Sequence, residues 1–522
     1  MKRVFSMIIA LLLVAAMVML ALRIKDPMYT GKVQGEDDGT LILWYTDDSL
    51  TEFINDAAVS YRDETGIRVK PVLMDGVEFL QKINHASVYE GEIEDGEEVV
   101  APDIYITTHD NLMKAYYAGL ASEITDPHKV MNPMNYPETS LHAIRCAGKY
   151  VGYPLYYETN FLLYNKTYMA NIAKQNIEED PEFFEEDMEE MSEEGTDEAG
   201  AGEGVSSNGI VVNNQVSTSD NSLSGNVFSL NEEDSDPMGE EDVARDPQVL
   251  EKLANMIPAT IDDILTFANN YDAPEEVEAI FKWDVSDIFY NYFFVGNYMN
   301  VGGEDGDDNS YFNIYNQQAV DCLKVYQNIN QFFSIDSKAV TYESILSEFI
   351  EGKTVFTVAT TDAIAKIREA KENGEFEYDY GVAVLPDISS TLKARGLSET
   401  STLVINGYSD KRETANGFAQ YLSYDKASDI YKKTGRIACF KNVTYEDEEI
   451  GNVMQEYEKS VPMPKMIEAG NYWVQLEIAF TKVWNGADPD ETLKELNDTI
   501  GEQIEELEQH VLTQESIKVG ID

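Results

Sequence analysis

From Gly39 onward the chain alternates short runs of β-branched and aromatic residues with stretches whose apolar residues recur every three or four positions. That alternation prescribes strand-helix-strand units, which build a mainly parallel sheet covered by helices. TLILWY (40–45) reads as the first strand. After it, Ser49 and Glu52 have the spacing of a capping box, and Leu50, Phe53, Ile54, Ala57, Ala58 and Tyr61 mark one helical face that Gly66 ends. IRVKPVL (67–73) gives a second strand, 77–85 a helix and DIYITT (103–108) a third strand. At the other end Leu493, Leu496, Ile500, Ile504, Leu507 and Val511 step by three and four, so an amphipathic helix closes the chain. Its 522 residues exceed one ordinary core, and a two-lobed α/β body is expected.

Two stretches break the alternation. Lys2 and Arg3 precede an apolar run at 4–22, interrupted by Ser6 alone, and Arg23 and Lys25 follow it. As a helix this run would reach about 28 Å, close to the roughly 30 Å hydrocarbon thickness of a bilayer and longer than a signal-peptide core. Residues 1–25 are therefore expected to export the chain and remain as a membrane anchor, with cleavage near Val14-Ala15-Ala16 as the alternative, and 26–38 to be a linker. No cysteine lies in or just after the run to take a lipid. The second stretch is 171–250, where 23 acidic residues stand against two basic ones, Lys174 and Arg245. It buries too little apolar area to offset an ordering entropy of about 1 to 2 kcal/mol per residue, so a disordered insertion is expected.

Lys and Arg total 38 against 96 Asp and Glu, a formal net charge of −58. A phosphate backbone would be repelled, which excludes nucleic acid as a partner. Cys146, Cys322 and Cys439 are far apart, without C-x-x-C spacing or a neighbouring His, and read as buried small hydrophobes. FIEGKTVF (349–356) contains Gly-Lys-Thr, but Ser347 stands where a phosphate loop needs glycine. Asp305, Asp307 and Asn309 imitate the start of a calcium loop that Ser310 and Asn316 break, which leaves a polar hairpin turn. H-E-x-x-H and G-x-S-x-G are missing and the five histidines do not cluster, so no catalytic base, metal or cofactor is indicated.

Ligands of open α/β sheets sit beyond the carboxyl ends of the strands, which makes 45–48 and 107–111 the positional candidates. Asp47, Asp48 and Asp110 there can accept bonds from ligand hydroxyls.

Several segments, read in order, resemble the maltose-binding-protein family of extracellular solute-binding proteins that serve ABC importers. APDIYITTHDNLMKAYYAGLASEIT (101–125) is similar to its P-D-I…H-D…G-L stretch and GKYVGYPLYYETNFLLYNK (148–166) to its G-K…Y-P…E…Y-N-K crossover. FIEGKTVF, YDYGVAVLP (378–386) and PDETLKEL (489–496) resemble further steps in the same order, so the likeness runs from Gly39 to about 507 outside the acidic insertion.

The resemblance implies a periplasmic-binding-protein type II fold, two α/β lobes with three inter-lobe crossovers that close on ligand by a hinge. It puts the crossovers near 156–161, 398–404 and 435–441, the N-lobe in 39–156 plus 403–437 and the C-lobe in 158–398 plus 440–516. The matching ligand-contact positions are Thr46, Asp48, Asp110, Glu158 and Tyr472. The family's arginine is Asn111 here, and two of its sugar-stacking tryptophans fall at Thr107 and Asp362. Trp44, Tyr156, Tyr157, Tyr298 and Trp473 are the aromatics able to replace them. The implied function is that of a monomer at the cell surface, outside the cytoplasm, that captures a small polar ligand, a carbohydrate, for an ABC permease. A membrane-tethered sensor or adaptor without a transporter and a carbohydrate-active hydrolase stay open as other readings.

Overall fold

The computed structural model describes residues 39–94, 97–125, 127–179, 246–467 and 470–519. The expected anchor and linker lie outside these residues, and so does most of the acidic stretch. Among the described residues no helix is long and apolar enough to cross a membrane.

One mixed sheet of ten strands runs through the molecule. Its strands are β1 (Leu41–Tyr45), β2 (Val69–Leu73), β3 (Ile104–Thr108), β4 (Tyr153–Asn165), β5 (Ala279–Phe281), β6 (Thr354–Thr360), β7 (Tyr380–Ala383), β8 (Leu397–Ile405), β9 (Ile437–Ala438) and β10 (Val461–Pro462). The order along it is β2-β1-β3-β8-β4-β6-β5, with β7 and β9 also paired to β4 and β10 to β8. The helices used below are α1 (Thr51–Thr65), α2 (Phe79–Val88), α3 (Lys166–Glu179), α4 (Pro247–Met256), α5 (Asp362–Glu372), α6 (Tyr472–Trp484) and α7 (Pro489–Val519).

The alternation read from the sequence reappears in these elements. Phe53, Ile54, Ala57, Ala58 and Tyr61 are the buried face of α1, and Gly66 ends it in the left-handed conformation at φ 78°. Leu493, Leu496, Ile500 and Ile504 are buried on α7, as are Pro489 and Thr492, while the side chains of Leu507 and Val511 lie outside the description. The start of α1 differs from expectation. A short 3-10 turn at Asp48–Leu50 precedes it, and Asp47 caps that turn by accepting from the Ser49 amide. Ser49 therefore sits inside the helical stretch, donates its hydroxyl to Asp47 (2.7 Å), and forms no capping box with Glu52.

The acidic stretch is shorter than its composition suggested. Its first residues continue α3 and its last begin α4, so 171–179 and 247–250 are helical rather than disordered. Ala173 on α3 and Val249 and Leu253 on α4 are buried, and Asn176 approaches Met256 Sδ at 3.7 Å. A window dominated by charge hides the apolar stripes at its two ends.

The three expected crossovers are neighbours in the sheet. β4 pairs with β8 through Tyr153–Thr159 and with β6 through Asn160–Tyr164, so this one strand passes from one half of the sheet to the other. β8 pairs on its other side with β3, from Ser401 against Thr108 to Ile405 against Ile104. β9 lies against Tyr156 and Tyr157 of β4. All three cysteines are free and buried, and Asn300–Val301 and Phe312–Asn313 form the hairpin expected around Asp305.

Candidate ligand-binding site at the hinge

Both central strands are covered on both faces, which is why they read as near-continuous apolar runs. In the thirteen residues of β4 only Glu158 escapes full burial. In the nine residues of β8 only Glu399 does. These two are cross-strand partners, Glu158 directly opposite Glu399. The two central strands thus keep contact with solvent at one place, where these two acids stand side by side on one face of the sheet.

Glu158 is held from two sides. Arg436 donates one guanidinium nitrogen to its Oε1 and Thr361 donates its hydroxyl to Oε2. Arg436 gives a second nitrogen to Asp47 Oδ2 at 2.9 Å, and its guanidinium lies 5.4 Å from the centre of the Tyr156 ring. Tyr156, buried on the same face of β4 as Glu158, donates its hydroxyl to Asp47 at 3.2 Å. Gly435, in the left-handed conformation at φ 72°, ends the helix Ala427–Thr434 and turns the chain so that Arg436 enters β9 beside the hinge. One arginine thus ties the turn after β1, the strand β4 and the third crossover together.

The electrostatics are uneven. Burial pushes the Asp47 carboxyl up, but hydrogen bonds from Ser49 and the Arg436 charge outweigh it and hold the group below the usual range. Burial dominates at Glu158 and leaves it raised despite Arg436 and Thr361. Glu399 has no hydrogen-bond or ion-pair partner for its side chain among the described residues. Burial, then the charges of Asp110 and Glu158, push its carboxyl up to about 8.

Asp110 lies in the turn just beyond β3, where its Oδ1 accepts from Thr108 and, at 3.2 Å, from Asn111 Nδ2. Between it and the hinge sits His109, fully buried. The Thr400 amide donates to its Nδ1 at 3.0 Å, so Nε2 carries the proton and donates to the Met463 carbonyl, also at 3.0 Å. Burial lowers the His109 pKa to about 3 and keeps the ring neutral.

Residues 56–458 match the family of bacterial extracellular solute-binding proteins, more than half of the chain. The chain belongs to that family. The solute-binding protein is 23% identical over 206 residues to the maltodextrin-binding protein MdxE of Bacillus subtilis, an alignment covering 38% of this chain and about half, 48%, of that relative. Among solved structures, an extracellular solute-binding protein of Staphylococcus aureus in complex with maltose superposes with a TM-score of 0.62 at 18% identity, over 91% of this chain and 100% of that one. A cyclo/maltodextrin-binding protein complexed with maltotetraose gives 0.63 at 18% identity, over 91% and 99%. These likenesses show the two-lobed α/β fold, and the family is one of binding proteins rather than enzymes.

The expected site residues of the solute-binding protein fall into three groups. Asp110, bonded by Asn111, and Glu158 lie near Glu399, whose carboxyl is raised by both of their charges. Thr46 and Asp48 are exposed, and the acid that reaches Arg436 is their neighbour Asp47, because the 3-10 turn points Asp48 outward. The remainder are packed or bonded away from these acids, although Asp362 is near enough for its charge to raise the Glu158 carboxyl. Tyr472 is fully buried, its hydroxyl directed at Met299 Sδ (3.6 Å), because the first turn of α6 packs into the core with Tyr292. Half-buried Trp473 leans on the same Tyr292 ring at 5.6 Å. Tyr157 alternates to the opposite face of β4 from Glu158 and stacks on Tyr457 at 3.7 Å. Trp44 is buried 6.5 Å from Phe79, and Asp362 accepts from Tyr342 (2.7 Å), Thr360 (2.5 Å) and Lys366 (2.6 Å). Tyr298 accepts from the Lys393 amide at 2.7 Å.

Sequence reasoning missed Arg436 and Glu399. A signal existed for both. Arg436 is the lone arginine of a crossover in a strongly acidic chain, and Glu399 is the one acid in LSETSTLVI, a run otherwise fit for a buried strand.

Proposed function

We propose that this protein captures a small polar ligand, a carbohydrate, at the hinge and delivers it to an ABC permease from outside the cytoplasm. The observation that carries this reading is Arg436 bridging Asp47 and Glu158, which draws polar groups from three chain segments together where β4 passes between the halves of the sheet. Carboxylates fixed in this way accept hydrogen bonds from the hydroxyls of a sugar, and the aromatic body of Tyr156 flanks them. The relatives whose printed names concern maltose and maltodextrin make carbohydrate the first class to test. The apolar run at 4–22 supports tethering at the membrane. A thermal-shift screen over mono- and oligosaccharides tests the reading, because a ligand at 100 times its dissociation constant stabilises by about 2.7 kcal/mol. A raised melting temperature with at least one sugar is expected. No shift with any carbohydrate, together with a shift from an amino acid or an anion, would overturn it.

A further inference from the structure

We propose that the ligand carries a positive charge, an ammonium group such as that of an amino sugar, and that this charge lands on Glu399 between Asp110 and Glu158. The inference rests on the reading that the ligand is held at the hinge.

The argument begins with charge balance along one line of the sheet. Glu158 on β4 is opposite Glu399 on β8. On the other side of β8, β3 ends at Thr108 against Ser401, and the turn that follows carries Asp110 toward Glu399. Three carboxyls thus stand in a row across three neighbouring chain segments, with Asp47 just beyond. Like charges on directly opposed positions destabilise a sheet. Among the described residues the cation whose charge reaches Glu399 is Arg436, and the two nitrogens it presents pair with Glu158 and Asp47 instead. Among the described residues Asp110 is served only by Thr108 and Asn111. Glu399, the middle acid, has no hydrogen-bond or ion-pair partner among the described residues and feels Arg436 only at a distance.

Without ligand the proton on Glu399 relieves this crowding, whereas an ammonium group set over Glu399 would take over that role and supply up to three donors to the row of acids. The upward shift of the Glu399 carboxyl has the same origin, because burial and its two acidic neighbours disfavour a third negative charge. A cation at this point reverses that, so Glu399 gives up its proton when the ligand enters. The net charge of −58 draws cations toward the site and repels anions. A divalent metal is a poorer occupant, as no group of three or more His, Cys, Asp or Glu with metal-holding geometry is found among the described residues.

The test is titration calorimetry of the full-length protein with four probes: the disaccharide of two glucosamines, its di-N-acetylated counterpart, maltose and spermidine. The expected result is that the glucosamine disaccharide binds at least tenfold more tightly than the acetylated form or maltose. Titrations at pH 7 in buffers of different ionisation enthalpy should reveal proton release. Glu399→Gln, which keeps the shape of the side chain and cannot ionise, should abolish both the preference and the proton release, with ligand-free melting showing that the variant folds. Equal or tighter binding of the neutral sugars, or a preference that survives Glu399→Gln, would overturn the inference while leaving the carbohydrate reading intact. Binding of spermidine alone, dependent on Glu399, would uphold the charge selection and sink the carbohydrate reading. Binding of none of the four would overturn both.

Discussion

Glu158 and Glu399 face each other across two antiparallel strands, each the one incompletely buried residue of its strand, yet only Glu158 has a cation. A buried strand tolerates an acid when the acid is paired or protonated. The two glutamates take one solution each, and most consequences for stability and binding follow from that division.

Removal of Arg436 leaves Glu158 and Asp47 without their shared cation. Because the pair is only partly buried, with side-chain exposures of 21 to 25%, Arg436→Gln is expected to cost about 1 to 3 kcal/mol in urea unfolding. Adding Glu158→Gln to that variant should recover part of the loss. A double variant no more stable than Arg436→Gln alone would show that the ion pair is not the source.

Glu399 makes stability fall with rising pH. Its folded pKa, about 8, lies above the 4.5 of an ordinary glutamate, so its contribution is fully present below about pH 4.5 and is lost as pH rises toward 8. Glu399→Gln should therefore become progressively more stable than the wild type between these values, by about 4 kcal/mol at pH 8. The check is denaturant unfolding of both proteins at pH 4.5, 6 and 8, and a gap that does not change with pH would count against the protonated glutamate.

His109 acts in the opposite direction. Its ring is held neutral with a pKa near 3, so the unfolded chain binds more protons below about pH 6.5, and stability is lost as pH falls from there. About 2 kcal/mol should disappear between pH 7 and pH 5 in the wild type relative to His109→Gln. Parallel pH profiles for the two proteins would contradict the buried neutral ring.

Tyr472 is a core residue in this structure. Tyr472→Ala should cost about 3 to 5 kcal/mol through the cavity it leaves, and Tyr472→Phe about 1 kcal/mol or less, since the hydroxyl meets little beyond Met299 and Tyr292. Circular-dichroism melting reads both. A Tyr472→Ala protein that melts like the wild type but loses ligand binding would return the residue to the site.

The acidic stretch can be shortened only with the right connection. Asn176 near the end of α3 contacts Met256 at the end of α4, so the chain must travel back along α4, about 15 Å for ten residues at 1.5 Å each. Replacing 182–244 with a ten-residue Gly-Ser linker should leave the melting temperature within a few degrees. Direct excision of 177–244 should not, since it removes half-buried Ile177 and leaves too few residues to span the gap.

The fold was legible because burial writes itself into periodicity: the α1 face, the α7 face and the two central strands are plain in the sequence. The order of motifs added the crossovers. At the candidate site, positions were more legible than orientations. Asp110 and Glu158 follow from strand ends and motif position and Tyr472 from motif position alone, while Tyr157 and Trp44 are aromatics near the right place, and only packing decides which way such a ring turns. Asp47 and Asp48 differ by one position, and the 3-10 turn that selects between them has no strong sequence signature. Arg436 and Glu399 depend on strand pairings between residues hundreds of positions apart, beyond the reach of local pattern.

The central claim is that ligand is held at the hinge, against Asp110, Glu158 and Glu399. Titration calorimetry of the glucosamine disaccharide into the wild type and Asp110→Ala tests it most directly, since among the described residues the Asp110 side chain bonds only to its sequence neighbours Thr108 and Asn111. Loss of a charge-assisted contact of about 1.5 to 3 kcal/mol should weaken binding about 10- to 150-fold, with ligand-free melting unchanged. The same affinity in both proteins would mean that the ligand binds elsewhere.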